Sequence, residues 1–298
     1  MTYAVVRWLG YLAAFGVIGA TVFRLWLAPR IAGMATVPMQ ALVDRGVLAG
    51  RMASVVLALT LLGKLYLQSR SMIEPDEPLS PEIIRLVIAS AWGKGWLAQA
   101  TVALVAMTGW WAMTRPALAR PAAAVVALSA VGLVLALPLT GHAIGLPAAG
   151  RLGYPLTVLH AGAGAIWLGT LGIMLVVVLR RPDPSVRLGP LVRAFSTVAL
   201  PAGIVTIGCG LVVAWRYVGG FDALIATVYG NVLLVKIGAL AGIAAAGAYN
   251  WRIVLPRLEI GQPAPISRSA TLETVVGLIL LAITAVLVSL PAPGETPP

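Results

Sequence analysis

Long apolar runs, each broken by a short polar or proline-rich segment, make up almost the whole chain. The runs fall at about 5–28, 47–68, 90–113, 122–140, 156–179, 193–215, 224–249 and 270–290. Each approaches the roughly 20 residues that a helix needs to cross a bilayer. The breaks carry the residues expected of connections: PDEPLSP at 75–81, TRPALARP at 114–121, RRPDPS at 180–185 and GQPAPIS at 261–267. Hydrocarbon offers the backbone no water, so each run is predicted to be helical. The pattern predicts an all-α polytopic membrane protein, a bundle of about eight transmembrane helices. It divides into an N-terminal four-helix half (1–137), a C-terminal half (138–291) and a disordered tail (292–298).

Composition supports this and removes the soluble alternatives. Of 298 residues, 60% are hydrophobic and 10% charged, where soluble domains carry about 25% charged residues. The formal charge of +11 would suggest nucleic acid in a soluble chain. Here the basic residues lie between apolar runs and report topology, so no nucleic-acid partner is expected. Arg30, Arg45, Arg51, Arg115, Arg120, Arg180, Arg181, Arg187, Arg193, Arg252, Arg257 and Arg268 fall at one set of run ends. Arg7, Arg70, Arg85, Lys94, Arg151 and Arg216 fall at the other, together with Glu74, Asp76, Glu77 and Glu82. The positive-inside rule then predicts an inner-membrane protein with both termini periplasmic. Trp8, Trp92, Trp96 and Trp215 at the outer ends, and Trp26, Trp110, Trp111 and Trp251 at the inner ends, read as interfacial belts. Only Trp167 lies mid-span. The opening MTYAVVRWLG lacks a signal-peptide pattern, so the first run is expected to remain in the chain.

Few residues are left to carry chemistry. Cys209 is the sole cysteine, which excludes an internal disulfide and a thiolate metal cage. His142 and His160 are the two histidines, and a short outer loop joins the runs that hold them. Taken singly, each reads as a helix cap or the partner of a nearby carbonyl. Taken together on one hairpin, they read equally as a metal pair, because imidazole suits copper, zinc and iron. Trp167 and Met174 follow His160 at seven-residue steps and so share one face of an ideal helix. A soft cation moving inward would meet them in turn; the simpler reading makes them core fillers. Met52, Met107 and Met113 are expected to serve packing. Lys236 is the most central charged residue. It reads as one side of a buried polar clasp with Glu273; Asn231 and Asn250 on its own run could also satisfy it, and a proton relay is the alternative. Arg24 and Lys64 lie near enough to run ends to snorkel. No phosphate loop, paired intramembrane carboxylate or Ser-His-Asp set is present, so no enzymatic activity is expected.

Several segments together resemble a known family. They are GHA at 141–143, LHAGAGAIWLGTL at 159–171, RAFSTVAL at 193–200, YGNVLLVKIG at 229–238, NWRIVLP at 250–256 and Glu273 at the head of the last run. Over roughly 138–291 the chain is similar to the bacterial copper-resistance protein D family, while the first four runs match it in hydropathy alone. The resemblance implies an inner-membrane protein handling copper ion, working beside a separate periplasmic copper-binding protein. It implies copper import, with capture at His142 and His160. Two other functions stay open: a cytochrome b-like protein holding haem between the same histidines, and a receptor docking a copper carrier through the acidic segment Glu74–Glu82.

Overall fold

The apolar runs fold as helices wherever the structure describes them. The computed structural model describes residues 2–32, 39–141, 152–180, 188–262, 264–291 and 293. Among these residues ten helices succeed one another: α1 (Thr2–Arg30), α2 (Met39–Arg70), α3 (Pro81–Ala89), α4 (Ala91–Ala112), α5 (Pro116–Thr140), α6 (Gly153–Leu179), α7 (Leu188–Val218), α8 (Phe221–Ala226), α9 (Val228–Glu259) and α10 (Ile266–Leu287). All but the short α3 and α8 are long enough to cross a bilayer. Seven of them also have the mean hydropathy of a membrane span. The eighth, α4, is lowered by Lys94, Gln99 and four tryptophans; at 1.5 Å per residue it still extends about 33 Å. The protein is therefore an all-α, multi-pass membrane protein.

Local chemistry sets where three of the helices begin. Ser80 accepts a hydrogen bond from the Ile83 amide and is followed by Pro81 at the first helical position. Ser90 does the same for Gly93, and Thr227 for Gly230, each satisfying an amide that the helix start leaves open. Gly219, with φ of +74°, makes the turn out of α7. Among the described residues, four π-helical stretches interrupt the long helices: Phe23–Leu27 in α1, Ala165–Gly169 and Leu175–Leu179 in α6, and Asn250–Val254 in α9. The last precedes Pro256, whose missing N–H and bulky ring an ideal α-turn accommodates poorly.

Sequence neighbours pack as antiparallel pairs, α1 on α2, α4 on α5, α6 on α7 and α9 on α10. The boundary between the halves is then bridged by α1, which also packs on α6 and α10. The α1–α6 contact is backbone to backbone. A Cβ on Gly19 would lie 2.1 Å from the Gly169 carbonyl carbon, and one on Gly169 would lie 2.1 Å from the Phe15 carbonyl oxygen. Only glycine allows that approach, the usual device for joining helices in lipid. As a result α6 is the most deeply buried of the seven apolar spans and α9 the least.

Tryptophan placement departs from simple belts. Trp26, Trp111, Trp215 and Trp251 are exposed to the bundle's surroundings, and at one end Arg30 and Arg51 stack 3.4 Å and 3.7 Å from the ring centres of Trp26 and Trp111. Trp96 and Trp110 instead lie inside the bundle. Trp96 donates to the Leu61 carbonyl, and Trp110 is fully buried against Gly50. Small residues on α2 make room for indoles that hydropathy alone assigned to the interface.

Candidate functional site

His160 stands one-third of the way along α6, on a face that α7 closes. Its Nδ1 lies 2.7 Å from the Thr206 carbonyl of α7. A carbonyl can only accept, so the neutral ring carries its proton on Nδ1 and leaves the Nε2 lone pair free. This is how a protein usually fixes a metal-binding imidazole, by a hydrogen bond from the other nitrogen. Gly210, one turn beyond Thr206, makes the contact possible: a Cβ there would lie 2.7 Å from the imidazole. Thr206 and Gly210 share a helix face, four residues apart. Neither was among the residues expected at the site; a glycine one turn after a threonine, on the run that pairs with a lone histidine, is the signal the sequence holds.

The imidazole borders an apolar cavity of about 230 Å³. The cavity lies at the end of the bundle that carries the start of α1 and the finish of α10. Tyr11 and Phe15 of α1, Pro138 and Gly141 of α5, and Lys236 of α9 share its wall with His160. Both halves of the chain thus contribute. His142 lies outside the described residues, in the segment just after Gly141.

Other residues singled out by sequence are placed elsewhere. Trp167 packs over Gly203 and Met174 is fully buried in the core; neither borders the cavity. The seven-residue spacing assumed an unbroken α-helix. The π-helical stretch Ala165–Gly169 places an extra residue in the turn, which rotates the remainder of α6 by about 100° relative to His160. Met52 is exposed, whereas Met107 and Met113 are half-buried. Among the described residues no three His, Cys, Asp or Glu side chains gather as a metal-binding cluster.

Glu273 is almost wholly buried, and it takes a short hydrogen bond from the Asn250 side-chain amide. Lys236 is not its partner. The fourteen residues that separate Lys236 from Asn250 on α9 correspond to about 21 Å of helix. The structure brings Lys236 to His160 and leaves Glu273 near the opposite end.

Lys64 does not snorkel. It is 7% exposed and donates to Gln99 Oε1 and Thr140 Oγ1, both at 3.1 Å. Gln99 in turn donates to the Ala136 carbonyl at 2.8 Å and to Thr140 Oγ1 at 3.0 Å. A buried ammonium thereby ties α2 and α4 to the last turn of α5, next to the cavity. Arg24, the other expected snorkeller, borders a second cavity of about 710 Å³ with Arg51 and Asp44 at the opposite end.

Comparison with known proteins agrees with this architecture. The model of the copper resistance protein D-like N-terminal domain matches residues 1–154, and that of copper resistance protein D matches residues 189–287. The family likeness therefore extends through the first four long helices, beyond the segments that carry it by eye. The chain is also 34% identical, over 172 residues, to the copper transport protein CutJ of Bacillus subtilis (strain 168); the match covers 56% of this chain and 30% of that relative's length. No solved structure matches. With one domain model covering more than half of its length and a second covering most of the remainder, the chain belongs to the copper resistance protein D family.

Proposed function

We propose that this protein moves copper across the bacterial inner membrane, from the periplasm toward the cytoplasm, and that His160 is the first residue of the chain to hold the ion. One observation carries this reading. His160 is anchored through Nδ1 to a carbonyl, which leaves its Nε2 lone pair free, and the residue borders a cavity at one end of the bundle. The asymmetry of basic residues supports reading that end as the outer one. His142 comes directly after Gly141, a residue of the cavity wall, so sequence proximity favours it as the second nitrogen ligand of a shared site. The relative named a copper transport protein supports the cargo. A separate periplasmic copper-binding protein would deliver it. Trp167 and Met174 lie further along α6, buried in the core, so ions passing them on the inward route require the bundle to rearrange.

The test is copper binding and copper-dependent accumulation by His160→Gln and His142→Asn, with folding monitored by circular dichroism. Amides are poor ligands for soft ions, so each variant is expected to fold and to lose most bound copper. The double variant should be hardly worse than either single. Full copper binding by a folded His160→Gln protein overturns the reading. A haem absorption band in the wild type that both variants lose would transfer the histidines to electron transfer.

A further inference from the structure

The cavity beside His160 has a charge imbalance. Lys236 borders it, and among the described residues no group accepts a hydrogen bond or forms an ion pair with the Lys236 ammonium. None of the eight acidic residues among those described lies in the cavity wall, and the 142–151 segment contains no Asp or Glu. The remaining wall is mostly aliphatic and aromatic, with threonine and tyrosine hydroxyls. A bare copper cation on Nε2 would therefore place a second positive charge in an apolar enclosure that holds one already. Like charges in so poor a dielectric repel strongly, and among the described residues neither would have a counter-ion.

An anion arriving with the metal removes the conflict. We propose that copper occupies this cavity as Cu(I) carrying one small soft anion, a halide or a thiolate, with His160 Nε2 on the metal and the Lys236 ammonium paired to the anion. The inference rests on the reading that His160 binds copper. Each component has its place: soft donors suit Cu(I), imidazole supplies the neutral ligand, and lysine acts as a compact point charge with three donors. The anion brings the negative charge that the wall lacks, and the apolar side chains around it exclude water. Lys236 then acts as a specificity residue, favouring copper in the form of a complex over the free aqueous ion.

The experiment uses the full chain in lipid nanodiscs, loaded anaerobically with Cu(I) in perchlorate, in bromide or in 2-mercaptoethanol. X-ray absorption at the copper edge reads the first coordination shell. The wild type should show a bromine scatterer in bromide or a sulfur scatterer in thiol, and the two distances distinguish the anions. Lys236→Met and Lys236→Gln should lose that heavy scatterer while nitrogen remains, and Lys236→Arg should keep it. A nitrogen-only shell in the wild type under both anions overturns the inference, as does a heavy scatterer retained in folded Lys236→Met and Lys236→Gln. In those cases loss of copper from His160→Gln would leave the metal-site reading standing. Wild-type protein that holds no copper under any anion overturns both.

Discussion

Glu273 of α10 receives its hydrogen bond from Asn250 of α9, and the pairing changes what each charged residue in the bundle can do. A carboxyl that is 3% exposed is held by a neutral amide, so no buried cation is consumed. Lys236 is left to face the cavity at the other end of the same helix. Removing either member of the pair should strand the other. We expect Asn250→Leu and Glu273→Leu each to cost about 1–3 kcal/mol, and the double variant to cost clearly less than their sum. Lys236→Met combined with Glu273→Gln should be additive. Thermal unfolding in detergent measures both cycles, and strict additivity for Asn250 with Glu273 would contradict the pairing.

The contact between α1 and α6 predicts a sharp contrast between glycines on one helix. Gly169 faces the Phe15 carbonyl so closely that a Cβ would lie 2.1 Å away, whereas a Cβ on Gly172 would meet nothing within 4 Å. Gly169→Ala should lose at least about 1–3 kcal/mol by overpacking. Gly172→Ala should be neutral or slightly stabilising, since alanine is the better helix former. Melting temperatures of the two variants check this, and equal values would count against the helix crossing described.

The network around Lys64 sets an order of severity. Gln99→Leu removes the amide oxygen that accepts from the buried ammonium and leaves a charge with one partner fewer, a change worth about 3–5 kcal/mol where a buried charge loses its compensation. Lys64→Met removes the charge and leaves only neutral acceptors, so it should cost about 1–3 kcal/mol. The more conservative-looking substitution is therefore expected to be the more damaging. Expression and thermal stability of the two proteins decide the order.

Orientation is tested apart from stability. Reporter fusions at Pro298 and in the 180–187 connection should give opposite signals, outside for the first and inside for the second, if twelve basic residues mark the cytoplasmic ends against six on the other side. Matching signals would break the arrangement in which both termini share the periplasmic face.

Hydropathy encodes where the chain crosses the bilayer and little of what lies across a helix interface, and that divides what the sequence makes legible from what it hides. The apolar runs locate all eight long helices, because the bilayer leaves the backbone no alternative, although α2 begins eight residues before its run and α9 ends ten residues after its own. The same runs cannot show that Trp96 and Trp110 turn inward, since that depends on Leu61 and Gly50 of a neighbouring helix. His160 is legible as a lone imidazole, but its anchor at Thr206 is not, because the acceptor is a backbone carbonyl and any residue supplies one. The expected Lys236–Glu273 clasp matches opposite charges without regard to depth: neutral Asn250 sits at the level of Glu273 and Lys236 does not. The spacing of His160, Trp167 and Met174 misleads for a related reason, since nothing in AIWLG announces a π-helical turn.

The backbone seam between α1 and α6 also bears on how the chain is assembled. Gly19 and Gly169 are some 150 residues apart, and loops of that length close slowly because their entropy must be lost before the contact forms. During synthesis the first hairpin can pair within itself as soon as α2 emerges, but one side of α1 must wait in lipid until more than half of the chain has been made. That side carries Gly19, with Ala20 beside it, residues small enough to present little surface to the wrong neighbour in the interval. One step of biogenesis is thus the closing of the N-terminal helix onto a helix from the distant half, the same event that brings Tyr11 and Phe15 to the wall around His160.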